Sequence, residues 1–198
     1  MPAHTEEPQA FAPAYVALLR RRLRASPWFT AHTLNRDFVG TRGFSIVFRA
    51  AARARVLAGL PDLGPYLERV LRPDCNAFYL NPLELERGSR VDPHVDRSLR
   101  SYLPDVPTPT VVSVLYLEVP RDLRGGELVL SRGKKHLARI TPVENALVTF
   151  DGDLTHAIER LESAGKRLSL VCEQYSLSED ELSHVPEYVV ESRARSYD

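Results

Sequence analysis

The texture of the second half of this chain constrains it most. From Cys75 onward the apolar residues come in six short runs, at 75–80, 111–119, 127–131, 136–140, 146–150 and 167–175, punctuated by Gly, Pro and Asp. Short runs bounded by turn-forming residues read as strands. Several such strands at this spacing predict a double-sheet barrel or jelly roll.

The first third has a different pattern. Residues 12–72 read as mainly helical, with helices expected near 14–25, 49–59 and 62–72 and one strand at 43–48. In the first of these, Tyr15, Val16, Leu18, Leu19 and Leu23 keep roughly helical spacing, so Arg20, Arg21, Arg22 and Arg24 are expected on the solvated face. A basic contact surface is the alternative for them. Residues 176–198 carry Glu179, Asp180, Glu181, Glu187 and Glu191 and read as a peripheral acidic helix or tail. The expectation is one α+β domain over 1–198. Its parts are helical support at 1–72, a mainly β core at 75–175 and an acidic tail at 176–198.

Composition narrows the partners. The chain has 198 residues, 43% hydrophobic, with Lys+Arg and Asp+Glu both at 26. It is long enough to bury a substantial core, and a net charge of zero argues against nucleic acid as an obligate partner. No apolar run reaches membrane-spanning length. The N-terminus lacks the basic-then-apolar pattern of a secretory signal, so a cytoplasmic location is expected. Cys75 and Cys172 lie in strand-like runs and are expected as buried thiols. No feature sets an oligomeric state.

The chemistry-bearing residues are His94-Val95-Asp96 and His156. Residues two apart in a strand point to the same face, so His94 and Asp96 can reach one ion, with His156 closing the set from another strand. Two imidazoles and one carboxylate leave coordination positions open on non-haem iron, and zinc accepts such ligands too. Asp92 with His94 is a second possible pair, and Glu159, three residues after His156, a weaker candidate ligand. His4, His32, His136 and His184 have no partner pattern.

Arg167 and Ser169 are again two apart in an apolar run, so they share one strand face while Leu168, Leu170 and Cys172 take the other. A planar guanidinium binds a carboxylate through paired hydrogen bonds, and the neighbouring hydroxyl adds another. If buried, an arginine of this kind calls for a carboxylate brought by a ligand; a strand-edge arginine reaching solvent is the alternative.

From about residue 76 to 175 the chain resembles the prolyl-4-hydroxylase-like branch of the Fe(II)/2-oxoglutarate oxygenases. Pro93-His94-Val95-Asp96 is similar to that family's first ligand pair, and Leu115-Tyr116-Leu117 to its tyrosine-bearing strand. Gly125-Gly126-Glu127-Leu128 matches its glycine pair, the stretch 141–150 followed by His156 its last ligand, and Arg167-Leu168-Ser169 its co-substrate strand. The resemblance implies a double-stranded β-helix with the N-terminal helices on one sheet. It implies Fe(II) on His94, Asp96 and His156, and the C5 carboxylate of 2-oxoglutarate on Arg167 with Tyr116 and Ser169 as helpers. One departure is a family tyrosine whose position, three before Gly88, holds Leu85, with Tyr79 nearby in sequence.

The activity implied is oxidation of an unactivated C–H bond by O2 with 2-oxoglutarate as co-substrate, giving succinate and CO2. Halogenating relatives lack the carboxylate of the triad, so Asp96 points to hydroxylation. A protein side chain or a free amino acid is the expected substrate. Specificity is expected from the N-terminal half, 84–91 and 97–109, with Arg42 either meeting an anionic substrate group or serving a surface turn. A zinc hydrolase on the same three ligands and a non-catalytic jelly-roll binding module are the alternatives.

Overall fold

The computed structural model describes residues 3–32 and 37–192. In chain order it contains β1 (His4–Glu7), α1 (Pro13–Arg24), β2 (Thr30–His32), β3 (Phe38–Gly43), β4 (Ser45–Arg49), α2 (Arg53–Gly59) and α3 (Gly64–Val70). There follow β5 (Ala77–His94), β6 (Val111–Glu118), β7 (Leu128–Arg132), β8 (Lys135–Ile140), β9 (Leu147–Asp151), β10 (Thr155–Ile158), β11 (Arg167–Tyr175), α4 (Glu179–His184) and β12 (Tyr188–Glu191). All strand pairings are antiparallel, in the order β1-β9-β6-β11-β5-β10-β7-β8, with β3 and β4 also on β5, β2 on β3 and β12 on β4. This is the expected double-stranded β-helix.

β5 carries the ladder from one layer to the other. Its first half pairs with β11, from Ala77 opposite Tyr175 to Leu85 opposite Arg167, and its far end pairs with β10. The corner lies at Gly88, whose φ of 93° only glycine adopts without strain. Around it Gly88 N–H donates to the Leu161 carbonyl and Leu161 N–H to the Ser89 carbonyl. The sequence reading ended this strand at residue 80 and took 84–91 for a specificity segment. Those residues form the bent middle of β5, paired with β3, and Val91 at their end lines the cavity that His94 and His156 also line.

β11 is buried along nearly its whole length because both its faces are covered. Leu168, Leu170 and Cys172 join Val16, Leu19 and Leu23 of α1 and Tyr66 and Leu67 of α3 in one apolar cluster. The opposite face of β11 looks between the layers, where Val112, Val114 and Tyr116 of β6 pack with Leu128, Leu130 and Phe150. The N-terminal helices therefore cover one sheet, as expected.

Three of the four arginines of α1 do more than contact solvent. Arg24 pairs with Glu84, at 2.7 Å, and with Glu118, Arg20 reaches Glu144 at 3.5 Å, and Arg22 reaches Asp62 at 3.1 Å. Glu84 also meets Lys166 at 2.8 Å and Arg42 at 3.8 Å. Burial alone would raise its pKa, but Lys166 and Arg24 hold this carboxyl below its ordinary value. Arg42, whose guanidinium lies 5.5 Å from the centre of the Phe29 ring, also takes part in this network.

The tail expected at 176–198 is built into the fold as far as the described residues reach. Ser178 caps α4 through a capping box with Glu181, and β12 extends the sheet by pairing with β4, Tyr188 opposite Phe48. Both cysteines are buried and free. Among the described residues no helix is long and apolar enough to cross a membrane.

Candidate active site

The pairing of β5 with β10 sets His156 directly opposite His94, which brings their ring centroids to 4.4 Å. Asp96 follows the end of β5 and turns its carboxylate between them. Oδ1 lies 3.2 Å from His94 Nε2 and Oδ2 lies 3.3 Å from His156 Nε2. Ligand atoms of the three residues lie within 4.8 Å of one another, and this is the one such group among the described residues.

Hydrogen bonds orient the rings. His94 Nδ1 is 2.8 Å from the Asp92 carbonyl, and His156 Nδ1 is 3.2 Å from the Leu154 carbonyl. A carbonyl only accepts, so each Nδ1 carries the proton and each neutral ring presents a bare Nε2. Buried His94 Nε2 and Asp96 Oδ2 have no hydrogen-bond partner among the described residues. Converging buried lone pairs without donors are unfavourable until a cation joins them. Burial pushes His156 below its ordinary pKa. At His94 burial acts the same way, but Asp96 outweighs it and raises the value, while the two histidines hold Asp96 low despite its burial.

The two other candidate ligands have different partners. Asp92 pairs with Arg90 at 2.7 Å and lends His94 only its carbonyl. Glu159 pairs with Arg139. His4 lies 3.6 Å from Glu6 on β1, and His136 stands opposite Ser131 on the β7–β8 hairpin. His184 closes α4, and the side chain of His32 lies outside the described ones.

A cavity of about 410 Å³ runs from the triad between the layers, and Arg167, Ser169, Val171 and Glu173 of β11 project into it. The Arg167 side chain is fully buried, its guanidinium carbon 4.9 Å from the centre of the Tyr116 ring. None of its three guanidinium nitrogens has a hydrogen-bond partner among the described residues, and neither do the hydroxyls of Ser169 and Tyr116. Ser169 and Tyr116 are cross-strand partners, which explains their convergence. Burial raises the Tyr116 phenol above its ordinary pKa, and the adjacent Arg167 offsets part of that rise.

Tyr79 does not take the place of the family tyrosine. Leu85 is the residue opposite Arg167, whereas Tyr79 stands opposite Glu173, three alternate positions along the sheet. Glu173 itself was not anticipated, although it continues the alternation of Arg167 and Ser169. It accepts from Ser98 N–H at 3.2 Å, from the Ser98 hydroxyl and from the Tyr175 hydroxyl, and so holds the segment that follows Asp96. Burial first, and then the Asp96 charge, push its carboxyl up to about 8. Glu191 of β12 also lines the cavity. No sequence signal marks it, since its role depends on where the last strand docks.

Comparison with known proteins agrees with this geometry. Residues 79–172 match the family model of the 2OG-Fe(II) oxygenase superfamily. No curated protein matches the chain. Among solved structures, a prolyl-4-hydroxylase of Pseudomonas putida is similar at TM-score 0.62 and 20% identity, covering 90% of this chain and 95% of that one. A prolyl hydroxylase of Trichoplax adhaerens, in complex with a hypoxia inducible factor peptide fragment, is similar at TM-score 0.56 and 13% identity, covering 93% and 86%. HygX of Streptomyces hygroscopicus, with nickel and 2-oxoglutarate bound, is similar at TM-score 0.54 and 16% identity, covering 89% and 84%. With a His-Asp-His cluster beside a buried arginine in the matched strands, residues 79–172 match the 2OG-Fe(II) oxygenase superfamily, and the chain is similar to its Fe(II)- and 2-oxoglutarate-dependent dioxygenases.

Proposed function

We propose that His94, Asp96 and His156 hold the Fe(II), and that Arg167, assisted by Ser169 and Tyr116, binds the C5 carboxylate of 2-oxoglutarate. The reaction is hydroxylation of an unactivated C–H bond in a protein side chain or a free amino acid, with release of succinate and CO2. The observation that carries this reading is Arg167, a fully buried cation in the triad's cavity whose guanidinium has no hydrogen-bond partner among the described residues. A buried charge of this kind is stable only with a counter-ion and hydrogen-bond acceptors, and a carboxylate end supplies both.

Held by His94, Asp96 and His156, Fe(II) with 2-oxoglutarate and O2 would supply the oxidant for the C–H bond. The chain's own residues do the rest. The Asp92 and Leu154 carbonyls fix the imidazole tautomers, and Glu173 fixes the segment carrying Asp96. Tyr116 supports the guanidinium from below through a cation–π contact. Phe38, 5.5 Å from the His94 ring centre, and Val91, Ile158 and Phe150 make the walls near the metal apolar and keep water away. Retention of the carboxylate at Asp96 favours hydroxylation. A protein substrate draws support from the prolyl hydroxylase of similar fold that was solved with a peptide fragment.

The test is anaerobic loading with Fe(II) followed by 2-oxoglutarate. A weak visible charge-transfer band, with succinate formed on admission of O2, is expected. Tight zinc binding with no such band favours a hydrolase on the same ligands, and failure to bind any metal favours a binding module.

A further inference from the structure

The turn after Asp96 carries two arginines to the mouth of the cavity. Arg97 precedes the 3-10 turn Ser98–Ser101 and Arg100 lies within it. Both are exposed and both line the cavity of the triad. The turn beneath them is fixed at three points. Leu99 is fully buried, Ser98 donates from its amide and its hydroxyl to Glu173, and the Tyr102 hydroxyl donates to Glu191.

The cavity also holds carboxylates that the arginines do not take. Glu173 is engaged by Ser98 and Tyr175, and Glu191 by Tyr102 and by Ser45 at 3.1 Å. Neither the Arg97 nor the Arg100 guanidinium has a hydrogen bond or ion pair with a described residue, whereas Arg90, Arg42 and Arg24 close to the same strands are each paired. The protein as a whole carries no net charge, so this is a local concentration of cation rather than part of a basic surface. Arg167 lies fully buried and is assigned to the co-substrate, which leaves the two outer arginines for a different anion.

We propose that Arg97 and Arg100 are the substrate anchor, and that the substrate is a compound bearing a carboxylate. The carboxylate docks on the two guanidiniums while the carbon to be oxidised reaches inward past Phe38 to the triad. This rests on the iron and 2-oxoglutarate reading of the same cavity. Two guanidinium forks match a carboxylate geometrically as well as electrostatically, and a turn pinned before the ligand arrives loses little freedom on binding it. The carboxylate is either the α-carboxylate of a free amino acid or the side chain of an acidic peptide.

The experiment measures succinate formation by the Fe(II)-loaded protein, saturated with 2-oxoglutarate in air. Each free L-amino acid is compared with its α-carboxamide, and capped peptides containing Asp or Glu with their Asn or Gln counterparts. Carboxylate compounds are expected to raise succinate formation above the substrate-free rate, and their amides at least about tenfold less at equal concentration. A response to free amino acids alone identifies the α-carboxylate as the docking group, and a response to acidic peptides alone identifies the side chain. Arg97→Gln with Arg100→Gln should erase the preference, and the double lysine variant should recover part of it. Amides as effective as acids, no stimulation by any compound, or an intact preference in the double glutamine variant would overturn the proposal. The charge-transfer band separates the levels. Wild type without it fails the oxygenase reading and the anchor with it, whereas wild type with the band but no carboxylate preference fails the anchor alone.

Discussion

Arg167 and the triad do different work, and single substitutions should separate them. On the proposed assignment, Arg167→Ala removes a bidentate, charge-assisted pair from a buried site, a loss on the order of 2–5 kcal/mol. The 2-oxoglutarate dissociation constant should therefore rise by at least about tenfold, with Fe(II) content unchanged. Arg167→Lys should recover part of the loss, and Ser169→Ala should cost less, about 1.5–3 kcal/mol. His94→Ala and His156→Ala should instead lose iron, read as metal per protein by elemental analysis. Unchanged iron in both would refute the ligand assignment. Glu173 makes a second prediction at this scale. Its folded pKa, about 8, lies above its ordinary value of 4.5. Folding thus favours the protonated carboxyl, whose stabilisation is complete below about pH 4.5 and is lost as pH rises through about 8. Urea melts of the metal-free protein across that window should show the decline, and Glu173→Gln, always neutral, should flatten it. An identical slope in the two proteins would show that Glu173 is not the group responsible.

The elements that were legible in the sequence are those whose packing is written as alternation. In β11, Arg167-Leu168-Ser169-Leu170 places polar and apolar side chains on opposite faces, and the run 167–175 is the strand observed. The cavity residues Arg167 and Ser169 were readable for the same reason, and so was the His94–Asp96 spacing. What was not legible depends on pairing between distant segments. β1 is short and polar, β12 is only four residues long, and both become strands by adding to the edges of β9 and β4. The middle of β5 has the composition of a loop, with Glu84, Glu86, Arg87 and Gly88, because Glu84 is satisfied by Arg24 and Lys166 from other elements. The helices expected at 49–59 and 62–72 are shorter, α2 and α3, each entered through a 3-10 turn. One turn now carries a sharp test. A Cβ on Gly125, where φ is 69°, would stand 1.9 Å from the Arg160 carbonyl oxygen. Gly125→Ala should lower stability by on the order of 3 kcal/mol through backbone strain and displacement of the segment carrying Arg160. A thermal midpoint equal to wild type would show that the turn is looser than this contact implies.

At the scale of the whole molecule, the site is an opposition between folding and binding. The triad is drawn from the end of β5, the segment beyond it and β10, while Arg167 comes from β11, so the site closes only when both layers are assembled. A ligand that binds there stabilises the entire fold by mass action, by about 2.7 kcal/mol at a hundredfold excess over its dissociation constant. The metal-free, co-substrate-free protein has the reverse problem, because it buries a guanidinium that no described residue hydrogen-bonds. Replacing a buried ionic group by an apolar side chain of similar volume is often stabilising, by about 1–4 kcal/mol. Arg167→Met should therefore melt higher than wild type without ligands, although it fills the same space and lacks the charge. With a redox-inert divalent ion in place of Fe(II), 2-oxoglutarate should raise the wild-type midpoint and leave that of Arg167→Met unmoved. The two midpoints should approach or cross as 2-oxoglutarate is added. Arg167→Met that melts well below wild type in the absence of ligand would mean that the guanidinium stabilises the empty fold through its contact with Tyr116. Arg167 would then be stable in the fold without a ligand carboxylate.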